Sequence, residues 1–334
     1  MDILKNLVLG TYFAILTVLS IYGAHRLWML ALYFKHKKDV PQPKGDERYL
    51  PHVTVQLAIF NEINVVERLV DSVIRMDWPK EKLEIQLLDD STDETKGFAE
   101  SVCARYRTLG FDIVHLHRTD RTGFKAGALH EGLKVAKGEL VAMFDADFIP
   151  NEDFLRQAVP HFADDKVAFV QGCWAHINRD YSLLTQVQGI LLDGHFVFEH
   201  TARNRSNAFF NFSGTAGMWR VSAIADAGGW EHDTITEDAD LSYRAQLKGW
   251  RGVYLKDLVV PAELPVEVNA FKSQQHRWAK GNAQVIRKLM KTIWTSKESL
   301  HTKLECWFHL TANCNYMLMV VLAVIMVPSM IIRA

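Results

Sequence analysis

Residues 140–147 read LVAMFDAD and residues 83–90 read LEIQLLDD, so two short apolar runs each end in paired carboxylates. Residues 53–60 and 113–116 are apolar runs of the same kind. A helical pattern follows each of the four runs, beginning near Glu62, Asp93, Lys125 and Asn151. Short apolar runs that alternate with amphipathic helices predict a parallel sheet covered on both faces. In the last of these helices, residues 151–162, Asn151 is the expected cap.

Carboxylates at the ends of two strands indicate where a ligand binds. Ligands of open parallel sheets bind beyond the carboxyl ends of the strands, and Asp89, Asp90, Asp145 and Asp147 stand at such ends. Neighbouring carboxylates repel one another unless a cation lies between them, and such oxygen ligands favour Mg²⁺ or Mn²⁺ held with a diphosphate. Each motif alone is also typical of a loop or a helix cap. No G-x-G-x-x-G follows the first strand, which disfavours a dinucleotide site.

Three further segments carry groups suited to a nucleotide or a sugar. Residues 121–128, RTGFKAGA, open a helix whose N-terminus and Lys125 suit a phosphate, although a glycine turn with a surface lysine has the same pattern. Residues 211–217, NFSGTAG, permit close approach of a bulky partner or form a tight turn. Residues 236–238, TED, place a carboxylate before a helix, as a general base or as an N-cap.

Residues 274–278, QQHRW, lie in a predicted helix. Gln274 and Trp278 are four positions apart and therefore share one face, with Arg277 beside them. Arginine binds a diphosphate bidentately, glutamine bonds a sugar hydroxyl, and an indole stacks on a sugar ring. A buried tryptophan beside an ion-paired arginine is the alternative interpretation.

Composition excludes several classes of protein. Among 334 residues, 38 Lys and Arg oppose 39 Asp and Glu, so the chain has no overall positive field with which to hold nucleic acid. The four cysteines form no C-x-x-C pair, which argues against a disulfide scaffold or a zinc finger and favours a reducing compartment. His115 and His117 alternate on one predicted strand, but without a third ligand we assign no zinc.

Both ends of the chain are long and apolar. Residues 7–24 carry no charge, and after His25 and Arg26 the apolar character resumes over residues 27–34, which is longer than a cleaved signal peptide requires. The basic residues 35–38 that follow indicate a cytosolic domain. Residues 310–332 predict a second span. We therefore expect an integral protein of an inner or plasma membrane, with further spans after residue 334.

The segment that precedes the second span has an amphipathic pattern. Residues 283–304 carry an apolar stripe with basic residues between its members, which is typical of a helix at a membrane surface. An ordinary helix with a core stripe is the alternative. The predicted division is a transmembrane segment at 1–34, a cytosolic domain at 50–282, an interfacial helix at 283–304 and a transmembrane segment at 305–334.

Taken in order, the motifs FNE, DDSTD, KAGAL, DAD, SGT, TED and QQHRW resemble those of the inverting family 2 glycosyltransferases. The resemblance is strongest to the processive, cellulose-synthase-like synthases of β-mannan, glucomannan and β-glucan, and it covers about residues 53–278. It implies an α/β fold of the GT-A type, a Rossmann-like nucleotide-sugar-binding domain with a mostly parallel mixed sheet, flanked by transmembrane helices.

The resemblance also implies roles for individual residues. Asp238 is expected to be the catalytic base and Asp147 the ligand of Mg²⁺ or Mn²⁺. The residues expected to bind the nucleotide sugar are Glu62, Asp90, Lys125, Asp145 and Arg277. The residues expected to bind the acceptor are Gly214, Thr215, Glu237, Gln274 and Trp278. Ser213 occupies a place where relatives often carry cysteine, so no role is assigned to its side chain.

The implied reaction is transfer of a hexose from GDP-mannose or UDP-glucose to a growing β-linked polysaccharide. A single transfer to a membrane lipid acceptor is the alternative. Two spans scarcely line a pore, so polymer export requires further helices or a homo-oligomer. A nucleotide-sugar-binding module without turnover is a third hypothesis, but it has no use for Asp238.

Overall fold

The predicted apolar runs form the strands of one sheet in the computed structural model, which describes residues 2–333. Side chains of β1, β2 and β4 are buried at nearly every position, so both faces of the sheet are covered. The strands are β1 (Val53–Ile59), β2 (Leu83–Asp89), β3 (Asp112–His117), β4 (Leu140–Asp145), β5 (Val167–His176), β6 (Gly217–Arg220) and β7 (Arg251–Ala262).

The seven strands lie in the order β3-β2-β1-β4-β6-β5-β7. The first four strands are parallel to one another, β6 is antiparallel to both of its neighbours, and β7 is parallel to β5. The predicted mostly parallel, mixed α/β sheet is therefore confirmed. Because the chain runs outward from β1 to β3 and then returns to the other side of β1, the switch point lies between β1 and β4, where open sheets bind their ligands.

Helices cover both faces of the sheet and extend from its ends. Their bounds are α1 (Asp2–His36), α2 (Ile63–Ile74), α3 (Thr95–Thr108), α4 (Phe124–Val135), α5 (Phe154–Ala158), α6 (Leu183–Asp193), α7 (Thr201–Arg205), α8 (Val221–Asp226), α9 (Glu237–Leu247), α10 (Val268–Thr295), α11 (Leu300–Thr311) and α12 (Cys314–Arg333). One core lies between the sheet and α2, α3 and α5, and a second lies on the side of α4, α8 and α9. A π-helical turn, Gly194–His200, joins α6 to α7.

Two predicted helices have different bounds in the structure. Residues 151–162, expected as one helix, contain only α5 and the 3₁₀ turn Val159–Ala163, with Pro160 in its first turn. Asn151 does not cap this helix, because its side chain donates to the carbonyl of Val259 and Asp153 stands at the N-cap. Proline lacks the N–H that a continuing helix needs, which explains the short element.

The segment 283–304 is likewise not a single helix. α10 begins at Val268 and ends at Thr295, and α11 begins only at Leu300. The inner face of α10, with Val285, Leu289 and Ile293, is buried against Tyr243 of α9 and Leu310 of α11. Much of the predicted membrane-facing stripe is therefore a stripe of the protein core, and residues 305–311 belong to α11 rather than to a membrane span.

The two ends of the chain pack together. Ile3–His36 and Cys314–Ile332 are both long and apolar enough to cross a membrane. At 35 residues α1 is about 50 Å long, whereas the hydrocarbon core of a bilayer is about 30 Å thick. Its last third lies on the folded domain, where Met29 and Leu32 are buried against Ala202. The part of α1 before His25 is the part that remains available for a bilayer.

Candidate active site

The carboxyl end of β4 is held by two contacts. The backbone N–H of Asp145 donates to Thr215 Oγ1 at 2.9 Å. Lys125, at the start of α4, forms an ion pair with Asp145, and its Nζ donates to the carbonyl of Gly214 at 3.0 Å. Thr215 is completely buried, so its hydroxyl fixes the end of β4. The structure thus does not place the side chain of Thr215, expected at the acceptor, where an acceptor could reach it.

Asp147 stands two residues beyond Asp145 in a crowded acidic environment. Burial raises the pKa of Asp147 to about 7, and the carboxylate of Asp145 adds to this effect. Two carboxylates this close repel each other, which favours protonation of one of them. A divalent cation bound by the two carboxylates relieves the same repulsion in place of the proton. The residues at this edge therefore fit the cation that the sequence predicts.

A denser acidic cluster lies elsewhere. Within residues 2–333, the carboxylates of Glu231, Asp233 and Asp240 approach one another closely enough to bind one ion. Lys288 Nζ already lies 2.5, 2.7 and 3.0 Å from these three groups. This cluster is therefore a partly exposed set of salt bridges that fastens α10 to Asp240 of α9 and to the loop before it, and we assign no metal to it.

The expected base, Asp238, lies directly against the small-residue loop before β6. Because β6 is antiparallel, its beginning is at the same edge as the ends of β1 and β4. Gly214 has a φ of 78°, and a Cβ at this position would lie 3.0 Å from Asp238 Oδ2. Both the left-handed backbone and the close approach require glycine here. The loop therefore contributes backbone, as expected for Gly214, beside the carboxylate of Asp238.

The TED carboxylates are held in a desolvated position at the start of α9. Asp238 Oδ1 accepts from the N–H of Ala239 at 2.8 Å, and Thr236 is the N-cap residue without a side-chain capping bond. Burial raises the pKa of both Glu237 and Asp238, and each is further affected by neighbouring charges. The charges of Asp145 and Glu237 in turn raise the pKa of Lys125, against the effect of its burial. Glu237, expected at the acceptor, is therefore close enough to Lys125 for its charge to affect the pKa of that lysine.

Beside Asp238 is a cavity of about 410 Å³. Gln274 and Trp278 both line it, as expected for one face of a helix, and Gln275 lines it too. Asn211, Ser213 and residues of the π-helical turn line it as well. Further lining residues are Arg26 of α1, His309 and Leu310 of α11, Asn313, and Tyr316 of α12. The same cavity is therefore bounded both by the segment of Asp238 and by the helices at the two ends of the chain.

The position of the QQHRW helix depends on Gly281. A Cβ on Gly281 would lie 2.3 Å from Thr236 Cγ2, far inside van der Waals contact. The absence of a side chain allows α10 to approach the residue that precedes Glu237 and Asp238. Arg277, one position before Trp278, is exposed, and the described part of the chain offers it no ion-pair or hydrogen-bond partner. Its guanidinium is therefore free to meet an anion.

Asp90 is at the predicted strand end but is already paired. Its two carboxylate oxygens accept from Arg118 Nε at 2.8 Å and Nη2 at 2.6 Å, and Asp90 is buried. The guanidinium of Arg121 lies 3.3 Å from the ring centroid of Phe60, the residue that follows β1. Sequence reasoning missed Arg118, although its place directly after β3 puts it at the same edge and was a usable signal.

The remaining sequence candidates lie at the same edge. Asn61, with a φ of 56°, turns the chain after β1 and ties it to β2, because its N–H donates to Ser91 Oγ at 2.9 Å. Glu62 follows, and although its side chain is exposed to solvent, the surrounding chain desolvates it in part, which together with the charge of Asp145 raises its pKa. Asp89 is buried and bonded to His115 Nε2 at 2.8 Å. This contact makes His115 a packed structural residue.

The sheet is mixed, and its switch point carries carboxylates from β2 and β4 with the antiparallel strand β6 beside them. This arrangement is that of the GT-A type of glycosyltransferase fold. The chain belongs to the glycosyltransferase-like family 2, whose model matches residues 51–281.

Two relatives are plant enzymes. The chain is 45% identical over 253 residues to glucomannan 4-beta-mannosyltransferase 2 of Arabidopsis thaliana, a match that covers 74% of this chain and 47% of that protein. It is 42% identical over 273 residues to glucomannan 4-beta-mannosyltransferase 1 of Oryza sativa subsp. japonica, covering 80% of this chain and 51% of the relative. The chain thus spans about half the length of the curated relatives it matches.

Solved structures share the fold. The mannosyltransferase PcManGT from Pyrobaculum calidifontis, determined in complex with GDP-Man and Mn²⁺, superposes with a TM-score of 0.77 at 22% identity, over 96% of this chain and 86% of that one. The S. aureus protein TarS 1-349 in complex with UDP-GlcNAc superposes with a TM-score of 0.53 at 17% identity, over 75% of this chain and 69% of that chain. At these identities the likeness establishes the fold.

Proposed function

We propose that the protein is a metal-dependent, inverting mannosyltransferase that moves mannose from GDP-mannose to a β-linked glycan acceptor. The observation that carries the proposal is the position of Asp238, between the Lys125–Asp145 pair on one side and the cavity lined by Trp278 on the other. The names of the plant relatives support mannose as the transferred sugar, and the GDP-Man bound to the archaeal protein supports the donor.

In this reaction Asp238 accepts the proton of the attacking hydroxyl. Its oxygen Oδ2 lies against Gly214 at the boundary between the donor edge and the cavity. Attack from the face opposite the leaving group converts an α-linked donor into a β-linked product. General-base catalysis of this kind contributes about 10²- to 10⁴-fold to the rate. Because burial raises the pKa of Asp238, the carboxylate is a stronger base than an exposed aspartate.

The departing GDP is a polyanion, so the donor side must supply positive charge. Asp145 and Asp147 are the residues that would hold the divalent cation, which when bound neutralises charge on the diphosphate. Lys125 is paired with Asp145 in the structure, and we infer that it turns toward the diphosphate when Asp145 binds the cation. Arg277 is exposed and unpartnered among the described residues, and it is placed one position from Trp278 for a second contact.

A lipid-linked acceptor is the second candidate, and the shape of the cavity favours it. The lining includes Arg26 of α1, Tyr316 of α12, and Asn313 in the turn between α11 and α12. A glycan carried on a membrane lipid would enter from the side of these helices. A polymer acceptor requires a longer path than the described helices provide.

We propose that α1 and α12 insert together into one bilayer and that the catalytic domain is cytosolic. Lys35, Lys37 and Lys38 follow the apolar part of α1, as the positive-inside rule requires. We expect α6 to lie on the membrane surface, because it buries polar groups and exposes the apolar side chains of Leu183, Val187 and Ile190. We therefore propose α6, rather than residues 283–304, as the principal helix in contact with the membrane surface.

The test is a transfer assay on the full chain in lipid nanodiscs with Mn²⁺ or Mg²⁺. GDP-mannose, UDP-glucose and GDP-glucose are each offered with a β-mannan oligosaccharide or with a lipid-linked sugar, and free diphosphate and product length are measured. We expect acceptor-dependent release of GDP from GDP-mannose. Turnover of UDP-glucose alone would overturn the assignment of the donor, and the productive acceptor identifies which candidate is correct.

A further inference from the structure

Two adjacent polar residues interrupt the apolar sequence of α1, and both contact acidic side chains of the folded domain. His25 is only 9% exposed, and its Nε2 lies 3.1 Å from both carboxylate oxygens of Glu305 in α11. Its ring stacks on Phe308 with the centroids 4.0 Å apart. Arg26 forms an ion pair with Glu199 of the π-helical turn. The polar interruption is therefore an attachment point of α1 to two separate elements.

A buried arginine joins these two contacts into one set. Arg203 of α7 is 1% exposed, and its Nη1 donates to Glu199 Oε2 at 2.9 Å. Its Nε lies 4.0 Å from Glu305 Oε2. We call His25, Arg26, Glu199, Arg203 and Glu305 the anchor network. Arg203 and Glu305 are buried, and Arg26 is about half exposed. Buried charges are costly to desolvate and add little net stability, so we infer that the buried part of the network serves to specify one geometry.

The anchor network ends at the acceptor cavity. Glu199 lies on the π-helical turn, and single-turn π elements are rare and often occur at functional sites. The same turn carries His195, which lines the cavity, and His200, whose Nε2 is 3.3 Å from Ser213 Oγ. Burial lowers the pKa of His200 far below its usual value, so the imidazole is neutral and forms this contact as an uncharged group.

Ser213 connects this turn to the donor side. It directly precedes Gly214, whose carbonyl accepts from Lys125 and whose Cα faces Asp238. The N–H of Ser213 donates to Gln171 Oε1 at 2.8 Å, which fixes the loop from the side of β5. Because Gln171 holds Ser213 independently of His200, we expect a shift of the π-helical turn to move the wall of the cavity and to leave the donor-side contacts in place.

We propose that Arg26 is a positioning residue for the acceptor: its ion pair with Glu199 holds the π-helical turn where His195 lines the cavity and His200 contacts Ser213. Loss of the pair loosens the turn, so acceptor binding weakens while donor binding is unchanged. The proposal rests on the proposed function only in taking this cavity as the acceptor site. Contiguous contacts do not by themselves demonstrate coupling, so the experiment measures it.

The experiment compares Arg26→Gln, Glu199→Gln and the double variant in nanodiscs. Each single variant is expected to raise the acceptor KM about 10-fold. Glu199→Gln also loses the charge that pairs with Arg203, so the double variant is expected to match Glu199→Gln, because the contact of Arg26 is already lost there. The dissociation constant of GDP-mannose is expected to stay within twofold of the unmodified protein. Arg26→Lys, which keeps the charge, is expected to restore most of the acceptor affinity. Arg48→Ala, which removes an exposed pair with Asp46, is the matched control.

A second measurement separates positioning from direct contact, because Arg26 and Glu199 themselves line the cavity. Amide hydrogen exchange of the acceptor-free protein is expected to accelerate in residues 194–200 in Arg26→Gln, with residues 214–215 unchanged, and not to accelerate in Arg26→Lys or Arg48→Ala. A raised KM without faster exchange would overturn the proposal in favour of direct contact, and unchanged KM would overturn it altogether. If the proposed function is wrong, the unmodified protein will show no transfer. The hydrogen-exchange comparison does not depend on transfer and would still show whether Arg26 holds the π-helical turn in place.

Discussion

Replacing Gly281 with alanine tests whether close packing of α10 against the TED segment supports activity. The new Cβ would lie 2.3 Å from Thr236 Cγ2, 2.6 Å from its Oγ1 and 2.9 Å from its Cβ. Ordinary contact requires at least 3.4 Å, so the helix or the N-cap residue of α9 must move by about 1 Å. A displacement of this size near a catalytic group typically costs about 10²-fold in rate.

The effect on stability follows from two opposing contributions. Removing a glycine from a helix interior gains about 0.5–1 kcal/mol, whereas overpacking costs about 1–3 kcal/mol. The contact is therefore expected to dominate, and Gly281→Ala to lower the free energy of unfolding by about 1 kcal/mol. Gly97→Ala is the control, because Gly97 lies in α3 with nothing within 4 Å of the added Cβ. It should be neutral or stabilising.

Thermal unfolding and initial transfer rates on the same preparations check this prediction. Thr236→Ala removes the two nearest atoms, so adding it to Gly281→Ala should recover part of both the rate and the stability, as an interaction between neighbours requires. A Gly281→Ala protein with an unchanged melting temperature and a rate within twofold of the unmodified protein would refute the reasoning.

Three more perturbations probe the donor edge. Lys125→Met removes the positive charge that would neutralise the departing diphosphate. At saturating donor we expect kcat to fall about 10²- to 10³-fold. A kcat within fivefold of that of the unmodified protein would exclude this role of Lys125. Arg118→Ala removes both hydrogen bonds to the buried carboxylate of Asp90 and leaves it only the ion pair with Arg121 Nε at 3.8 Å. The variant is expected to lose about 1–3 kcal/mol of unfolding free energy in chemical denaturation, with Arg118→Lys intermediate. Equal stability of the two variants would contradict this role. The pKa of Asp147 is raised to about 7, so protons and the cation compete for its carboxylate below that pH. The Kd for Mn²⁺ should therefore rise roughly 10-fold for each pH unit below 7 and level off above pH 7. Titration calorimetry that finds a constant Kd from pH 5.5 to 7 would disprove this competition.

The first half of the sheet could be predicted because each strand combines a buried apolar run with a following helix. The same pattern placed Asp90, Asp145 and Asp147 at one edge, since parallel strands end together. The position of Gly214 could not be read in this way, because it depends on β6 entering antiparallel between β4 and β5. Strand order is a property of long-range pairing that local sequence patterns do not encode.

Errors arose where one pattern has two physical explanations. The apolar stripe of α10 is compatible with a membrane surface or with a protein core, and for Leu289 and Ile293 the core formed by α9 and α11 accounts for it. Thr215 lies in a motif but is buried, and only the structure reveals its bond to the N–H of Asp145. Arg118 was missed because it lies outside every motif and gains its role from the partner that the fold supplies.

The proposed reaction depends most directly on the carboxylate of Asp238. Asp238→Asn keeps the size and most of the hydrogen bonding of the side chain but removes its basicity. In nanodiscs with Mn²⁺ and saturating acceptor, we predict that this variant binds GDP-mannose with an unchanged Kd by titration calorimetry and transfers mannose at least about 10²-fold more slowly. Transfer at more than a tenth of the normal rate would contradict the claim that Asp238 is the base.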